Sequence, residues 1–252
     1  MAKRNYHSTR RRRRSPLARL LTTLVILGIL FVGISVFFRV QEFEVIGETR
    51  YSSQEIIDAS GIDHRSHLFL LSPASASSAL RENLPFIETA QITRRFPNRV
   101  EIRVAETVAI AFLQVGAEVI LLDRQCKVLE LASHVPIGSI RVLGVEISEP
   151  PQAGRILILG EEQRHTLYYL QDILNLLFSL GLYENIVSLD MGELLNPILN
   201  YEDRLEIHLG PNRNLANKMN LLVGILEYLE ADAVGIIDLI NPERPAFRPA
   251  GI

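Results

Sequence analysis

Hydrophobic positions fall into three regimes along the chain. Residues 20–38, LLTTLVILGILFVGISVFF, are an unbroken apolar run, residues 43–106 switch between strand-like and helix-like periods, and beyond residue 109 short alternating segments flank two helical stretches. In the apolar run no charge interrupts 19 residues, of which 14 are Leu, Ile, Val or Phe. A helix of that length, rising about 1.5 Å per residue, is roughly 28 Å long, close to the ~30 Å hydrocarbon core of a bilayer. A retained membrane anchor is expected rather than a signal peptide. The apolar region of a signal is usually shorter, and Arg39-Val40-Gln41-Glu42 offers no small-residue cleavage site.

The second regime begins with a strand at Phe43–Ile46 that turns at Gly47. Ser52 and Glu55 have capping-box spacing, which predicts a helix from about Ser53 to Ser60, and Gly61 suits the left-handed residue that ends it. A second helix is expected from Pro73 through Leu80 to Asn83, closed by Pro85. The stretch Ile92–Glu106, ITRRFPNRVEIRVAE, then reads as a β-hairpin, so the order is strand, helix, helix, strand, strand. A two-residue turn at Pro97-Asn98 would split the apolar faces of the two strands. A three-residue loop, Pro97–Arg99, pairs Phe96 with Val100 and Ile92 with Val104 and unites them. The second register is expected. It sets Arg95 opposite Glu101 and leaves Arg94 on the apolar side with its stem running outward.

In the third regime, strands are expected at Ala109–Val115, Glu118–Asp123 and Lys127–Leu131, followed by an irregular stretch with Pro136, Pro150 and Pro151. Leu167, Leu170, Leu174 and Leu177 recur at helical spacing, and Gly181 ends that helix. NIVSLDM and RLEIHLG alternate as strands. Asn214 is placed to cap a helix with Leu215, Met219, Leu222, Leu226 and Leu229 on one side. A strand over Val234–Ile240 leads to PAFRPAGI, and three prolines at this end, Pro242, Pro245 and Pro249, keep it from being an interior strand.

Charge changes this picture in two ways. Eight of the 26 basic residues and none of the 29 acidic ones precede Arg39, so 18 basic residues face 29 acidic ones thereafter, a net of −11. The run Arg10, Arg11, Arg12, Arg13 and Arg14 directly before the apolar segment is a positive-inside determinant, which keeps the N-terminus in the cytoplasm and exports the rest. Arg94, Arg95, Arg99 and Arg103 around Phe96 could suit a phosphate backbone and a stacked base. An acidic, exported body argues against that use, since phosphate neutralisation supplies most non-specific nucleic-acid affinity. The single Cys126 permits no internal disulfide.

Candidate chemistry is sparse. No serine has a lysine three residues later, as a penicillin-binding enzyme requires. His64 and His67 with Asp63 make a weak metal set, without HExxH or clustered cysteines. Asp190 with Glu193, and Glu202 with Asp203, are carboxylate pairs of the kind glycosidases use, but adjacent acids on an acidic surface are usually only solvated.

The segments FEVIGETRYSSQEII, LPFIETAQITRRFPNRVEIRVAE, AFLQVGAEVILLD, HLGPNRNLANKMNLLVGIL and IIDL, following a basic tail and one span, resemble the FtsQ/DivIB family of bitopic bacterial cell-division proteins. The chain departs from the family pattern at Thr107-Val108, where members often have Arg-Pro, at Gln125-Cys126, where a glycine is common, and at Ile240, where an arginine often follows the IDL sequence. The resemblance implies an α+β protein with a basic cytoplasmic tail at 1–19, a transmembrane helix at 20–38, a POTRA domain (β-α-α-β-β) at 39–107 and an extracytoplasmic mixed β-sheet domain with helices at 108–252. It further implies a non-enzymatic scaffold in the cell membrane at the division septum, without cofactor, metal, nucleic acid or small-molecule substrate. Its partners would be the FtsL and FtsB/DivIC type division proteins and the septal peptidoglycan synthase complex. The contact would lie on the last strand, by addition of a partner strand, at Ala246, Phe247 and Arg248 beside Ile236 and Ile240. A POTRA-containing adaptor for protein transport or outer-membrane assembly is the alternative, disfavoured because the residues after the single unit do not suit a barrel.

Overall fold

The structure, a computed structural model, describes residues 16–64, 66–116 and 118–250. The arginine run at 10–14 lies outside the described residues. Helix α1 (Pro16–Phe37) is continuous for 22 residues, and its apolar side chains Leu20, Leu24 and Leu27 are exposed. The expected span thus coincides with a helix. Among the described residues, however, no helix is long and apolar enough to cross a membrane.

A three-stranded unit follows. It holds β1 (Glu42–Ile46), α2 (Ser53–Ala59), α3 (Pro73–Asn83), β2 (Ile87–Arg95) and β3 (Arg99–Glu106), with β3 central, parallel to β1 and antiparallel to β2. Local chemistry fixes both helix starts. The Ser52 hydroxyl accepts the Glu55 N–H at 3.3 Å while the Glu55 carboxylate accepts the Ser52 hydroxyl and the Ser52 N–H, each at 2.7 Å, and these last two bonds, the hydroxyl's first, hold the carboxyl below the usual range. Ser72 accepts the Ser75 N–H at 3.3 Å ahead of Pro73. Ile56 and Leu80 from the helices pack with Val100 and Ile102 of β3, all fully buried.

The hairpin register differs from the expected one. Arg95 pairs with Arg99, Arg94 with Val100 and Ile92 with Ile102, so the three-residue loop is Phe96–Asn98 and not Pro97–Arg99. Both registers put the same residues on the same face, because alternation fixes only the parity of the pairing. Contacts beyond the hairpin decide between them. Phe96 leaves the ladder to stack near Phe69, the Asn98 carbonyl accepts the Gln41 N–H at 2.9 Å, and Arg94 turns its guanidinium to the Leu71 carbonyl. Arg95 still reaches Glu101, now diagonally, at 2.9 Å. Glu101 also takes Arg103 at 2.8 Å, and the hydrogen bond from Arg95 is the main cause holding its carboxyl below the ordinary range.

The rest of the chain builds one nine-stranded sheet. Its strands are β4 (Ala111–Val115), β5 (Glu118–Leu122), β6 (Val128–Ala132), β7 (Ile140–Leu143), β8 (Ile186–Asp190), β9 (Ile198–Tyr201), β10 (Leu205–His208), β11 (Gly235–Asp238) and β12 (Ala246–Pro249), in the spatial order β12-β11-β10-β9-β8-β7-β4-β5-β6. Helices α4 (Arg164–Ser179) and α5 (Leu215–Tyr228) bury Leu170, Leu174, Met219 and Leu222 against one face, where they meet Ile140, Leu189, Ile207 and Ile237. The stretch around Pro136 expected to be irregular contains β7, which is parallel to both β4 and β8. On the other face, Phe86 from the first unit packs onto Phe112, Val119 and Leu121, and Arg124 pairs with Glu88 across the junction. Cys126 is buried with φ 58, the left-handed region that favours glycine, and burial pushes its thiol pKa far up.

Candidate partner-binding edge

β12 is the outermost strand of the large sheet, antiparallel to β11, with Ile237 opposite Phe247 and Ile236 opposite Arg248. The Ala250 N–H donates to the Val234 carbonyl at 2.8 Å. Counting back by two, Arg248 and Ala246 turn their main-chain groups toward β11, while Phe247 and Pro249 turn theirs outward. Pro249 has no N–H, so Phe247 supplies the outward donor of β12, flanked by the carbonyls of Phe247 and Pro249. Proline at an outward position leaves the ladder to β11 intact and is tolerated on an edge.

The side chains of the expected site divide between surfaces. Alternation puts Phe247 on the helix-covered face, where it is half-buried against the core around Ile237. Gly235 makes this possible: a Cβ there would overlap the Arg248 carbonyl oxygen and come within 2.8 Å of Phe247 Cε2. Ala246, Arg248 and Ile236 face the opposite, open side. There Arg248 reaches Asp238 at 3.2 Å, and its side chain stays 68% exposed, free to re-pair with a partner. Arg248 and Ile236 line one end of a trough of about 640 Å³ that continues over Glu206, Asn200 and Ser188. Ile240 lies past the end of β11 and is exposed, and its N–H donates to the Asp238 carboxylate at 3.0 Å. The structure therefore brings Ala246, Arg248 and Ile236 together on one face, separates the Phe247 side chain from them, and places Ile240 at the margin.

The support behind this edge is built by residues that the sequence reading did not single out. Lys218, 1% exposed on α5, donates from Nζ to the carbonyls of Leu209 at 2.6 Å and Pro211 at 2.9 Å, and burial lowers its pKa. Tyr169 on α4 donates its hydroxyl to the Gly210 carbonyl at 2.7 Å. Gly210, at φ 67, sits against Ile240, where a Cβ would come within 2.8 Å of the Ile240 Cα. These bonds tie the β10–α5 connection to α5 and α4, and the close approach of Gly210 sets it against Ile240 just past β11. Asn214 occupies the cap position of α5 but in the left-handed conformation, φ 54, and its side chain makes no capping bond, contrary to the expected cap. A lone glycine in a strand pattern was the available sign of a close backbone approach at Gly235.

The residues weighed as catalytic or metal-binding have other tasks. His64 meets the Phe43 ring edge-on at 4.9 Å, and His67 bridges to Arg39. Asp190 accepts the Gly192 N–H at 2.8 Å. Glu202 and Asp203, both at positive φ, form the tight turn between β9 and β10, with Arg204 on Glu202 at 2.8 Å and Asn200 on Asp203 at 3.0 Å. Among the described residues, no three His, Cys, Asp or Glu side chains are grouped to hold a metal ion.

Residues 38–107 match the family model described as POTRA domain, FtsQ-type. The chain is 24% identical over 234 residues to Cell division protein DivIB of Clostridium botulinum (strain Loch Maree / Type A3), covering 89% of this chain and 90% of the relative. It is 24% identical over 191 residues to Cell division protein DivIB of Clostridium tetani, covering 75% of this chain and 70% of the relative. Against Cell division protein FtsQ of Anaeromyxobacter sp. (strain K) the identity is 34% over 86 residues, covering 34% of this chain and 29% of that protein.

Proposed function

We propose, on the FtsQ-type POTRA match at residues 38–107 and the similarity to DivIB cell division proteins over most of the chain, that it is a non-enzymatic, single-pass scaffold of the division machinery. In this reading α1 crosses the membrane, the arginine run at 10–14 keeps the N-terminus in the cytoplasm, and the two β-containing units stand outside it. The FtsL and FtsB/DivIC type proteins bind it, and the assembly recruits or controls the septal peptidoglycan synthase. The observation that carries the reading is the extent of the DivIB similarity, which runs through both units and not only through the POTRA segment.

The free edge of β12 is the proposed contact. A partner strand lying antiparallel or parallel to it would take the Phe247 N–H and the neighbouring carbonyls, while Arg248 and Ile236 on the open face would receive its side chains. The site is therefore the main-chain edge together with the open face, and the Phe247 ring contributes by holding the strand down. A fluorescent fusion of the full chain, expressed in its own dividing cells, is expected to concentrate at mid-cell before constriction. An even distribution around the cell outline would count against the division role.

A further inference from the structure

We infer that the pole of the POTRA unit next to α1, formed by Phe69, Leu70 and Phe96, is a lipid-contacting surface that seats this unit on the bilayer. The inference rests on the proposal that α1 spans a membrane. The segment leaving α1 is not a free linker. The Phe38 carbonyl accepts the Leu68 N–H at 2.9 Å, and the Val40 N–H donates to the Ser66 carbonyl at 3.0 Å. Gln41 then donates its N–H to the Asn98 carbonyl at 2.9 Å. Within four residues of the helix end the chain is thus bonded both to the connection between α2 and α3 and to the tip of the β2–β3 hairpin.

Rings bridge the same three segments. Phe38 lies 4.8 Å from Phe69 and 6.0 Å from Phe96, and Phe69 lies 5.2 Å from Phe96. Phe37, in the last turn of α1, meets Phe38 edge-on at 5.4 Å. Such a cluster is ordinarily covered, yet Phe69 is 49% exposed, Phe96 58% and Leu70 84%. The exposed surface is large, apolar and continuous with a helix whose own leucines are exposed.

Lipid is the occupant that this continuity fits. The backbone ties hold the three side chains within a few residues of the end of α1, at the depth where the hydrocarbon region gives way to headgroups. Aromatic and leucine side chains on a membrane-facing surface gain from burial at that boundary. Arg39 is exposed at the same place and makes no ion pair with a side chain among the described residues, a position suited to a lipid phosphate. A POTRA unit seated in this way has a fixed orientation, which in turn sets where the sheet behind it presents β12.

The chain contains no tryptophan, so one introduced indole is a sole reporter. Full-length variants Leu27→Trp, Leu70→Trp and Tyr228→Trp would each be reconstituted in phosphatidylethanolamine and phosphatidylglycerol vesicles, with and without bromine on the acyl chains. Leu70 is 84% exposed and Tyr228 92%, so neither substitution disturbs packing. The expected result is quenching by brominated lipid at positions 27 and 70, with full emission retained at 228. Phe96→Trp, on the hairpin tip, is expected to behave as Leu70→Trp does. Quenching at 27 without quenching at 70 or 96 overturns this inference and leaves the span standing. No quenching at 27 overturns the span and this surface with it. Equal quenching at 70 and 228 also overturns it, since contact would not be local. Shielding of position 70 from aqueous iodide without bromine quenching would give the surface to a protein neighbour and overturn it as well.

Discussion

Gly235→Ala is expected to free β12 from the sheet while leaving the rest of the nine-stranded unit folded. A single methyl at this position overlaps the Arg248 carbonyl oxygen and lies 2.8 Å from Phe247 Cε2 and 3.0 Å from Pro249 Cα. Two of those three atoms belong to the backbone of β12 or are attached to it directly, so rotating one side chain cannot relieve the overlap. Overpacking of this kind costs about 1–3 kcal/mol. An edge strand of four residues can shed that strain by detaching, because local opening is cheapest where few contacts are lost. The amides of 246, 248 and 250 are expected to exchange rapidly in the variant, with the midpoint of global thermal unfolding lowered only slightly. If the β12 contact is the partner site, affinity should fall at least about tenfold, equivalent to 1.4 kcal/mol. Unchanged exchange protection in β12 would show that the strand does not pack across Gly235 as described.

Lys218→Ala is expected to be the most destabilising single change behind that edge. The ammonium is buried, is paired with two carbonyls rather than with an acid, and bridges Leu209 to Pro211. Removing it leaves buried acceptors without a donor, at about 1–3 kcal/mol, and opens a cavity where the four-carbon stem packed, so a loss of roughly 2–5 kcal/mol follows. For a domain of this size that corresponds to a fall in Tm of roughly 5–15 °C, read by thermal unfolding of the full chain in detergent. Lys218→Met restores the stem volume without the donor and is expected to recover only part of the loss. A Tm within about 2 °C of the parent for Lys218→Ala would place the ammonium outside the structural role assigned to it.

Features written in local chemistry were legible in the sequence. The Ser52/Glu55 capping box, Gly61 at φ 68 and Pro73 behind Ser72 depend on residues within one helical turn, and each occurs in the structure. The edge character of β12 was readable from Pro245 and Pro249. Features set by distant partners were not. The hairpin slipped by one residue on each strand because Phe38 and Phe69 claim Phe96, and nothing in the alternation of Ile92–Glu106 records them. Strand β7 is four residues between Gly138 and Gly144, and becomes a strand only through β4 and β8 on either side. Strand β9 escaped because its turn uses Glu202-Asp203 at φ 52 and 54, where the usual sign is an Asn-Gly pair. The placement of the Phe247 ring, similarly, could be known only once Ile237 was opposite it and α4 and α5 had taken that face of the sheet.

The two ends of the β-containing region have complementary features. Near α1, backbone bonds and rings fix the POTRA unit relative to the helix, and at the far edge of the sheet a strand with an outward donor is held down by Phe247 on Gly235. The proposed scaffold role calls for both an orientation and a free edge. The most direct test of the central claim is amide hydrogen exchange, resolved to single residues, on the full chain with and without the FtsB/DivIC type protein of the same organism. Addition of that protein is expected to slow exchange at the Phe247 amide, the outward donor of β12, with smaller effects along β11. Saturating binding that leaves Phe247 exchanging as in the free chain would contradict strand addition at β12.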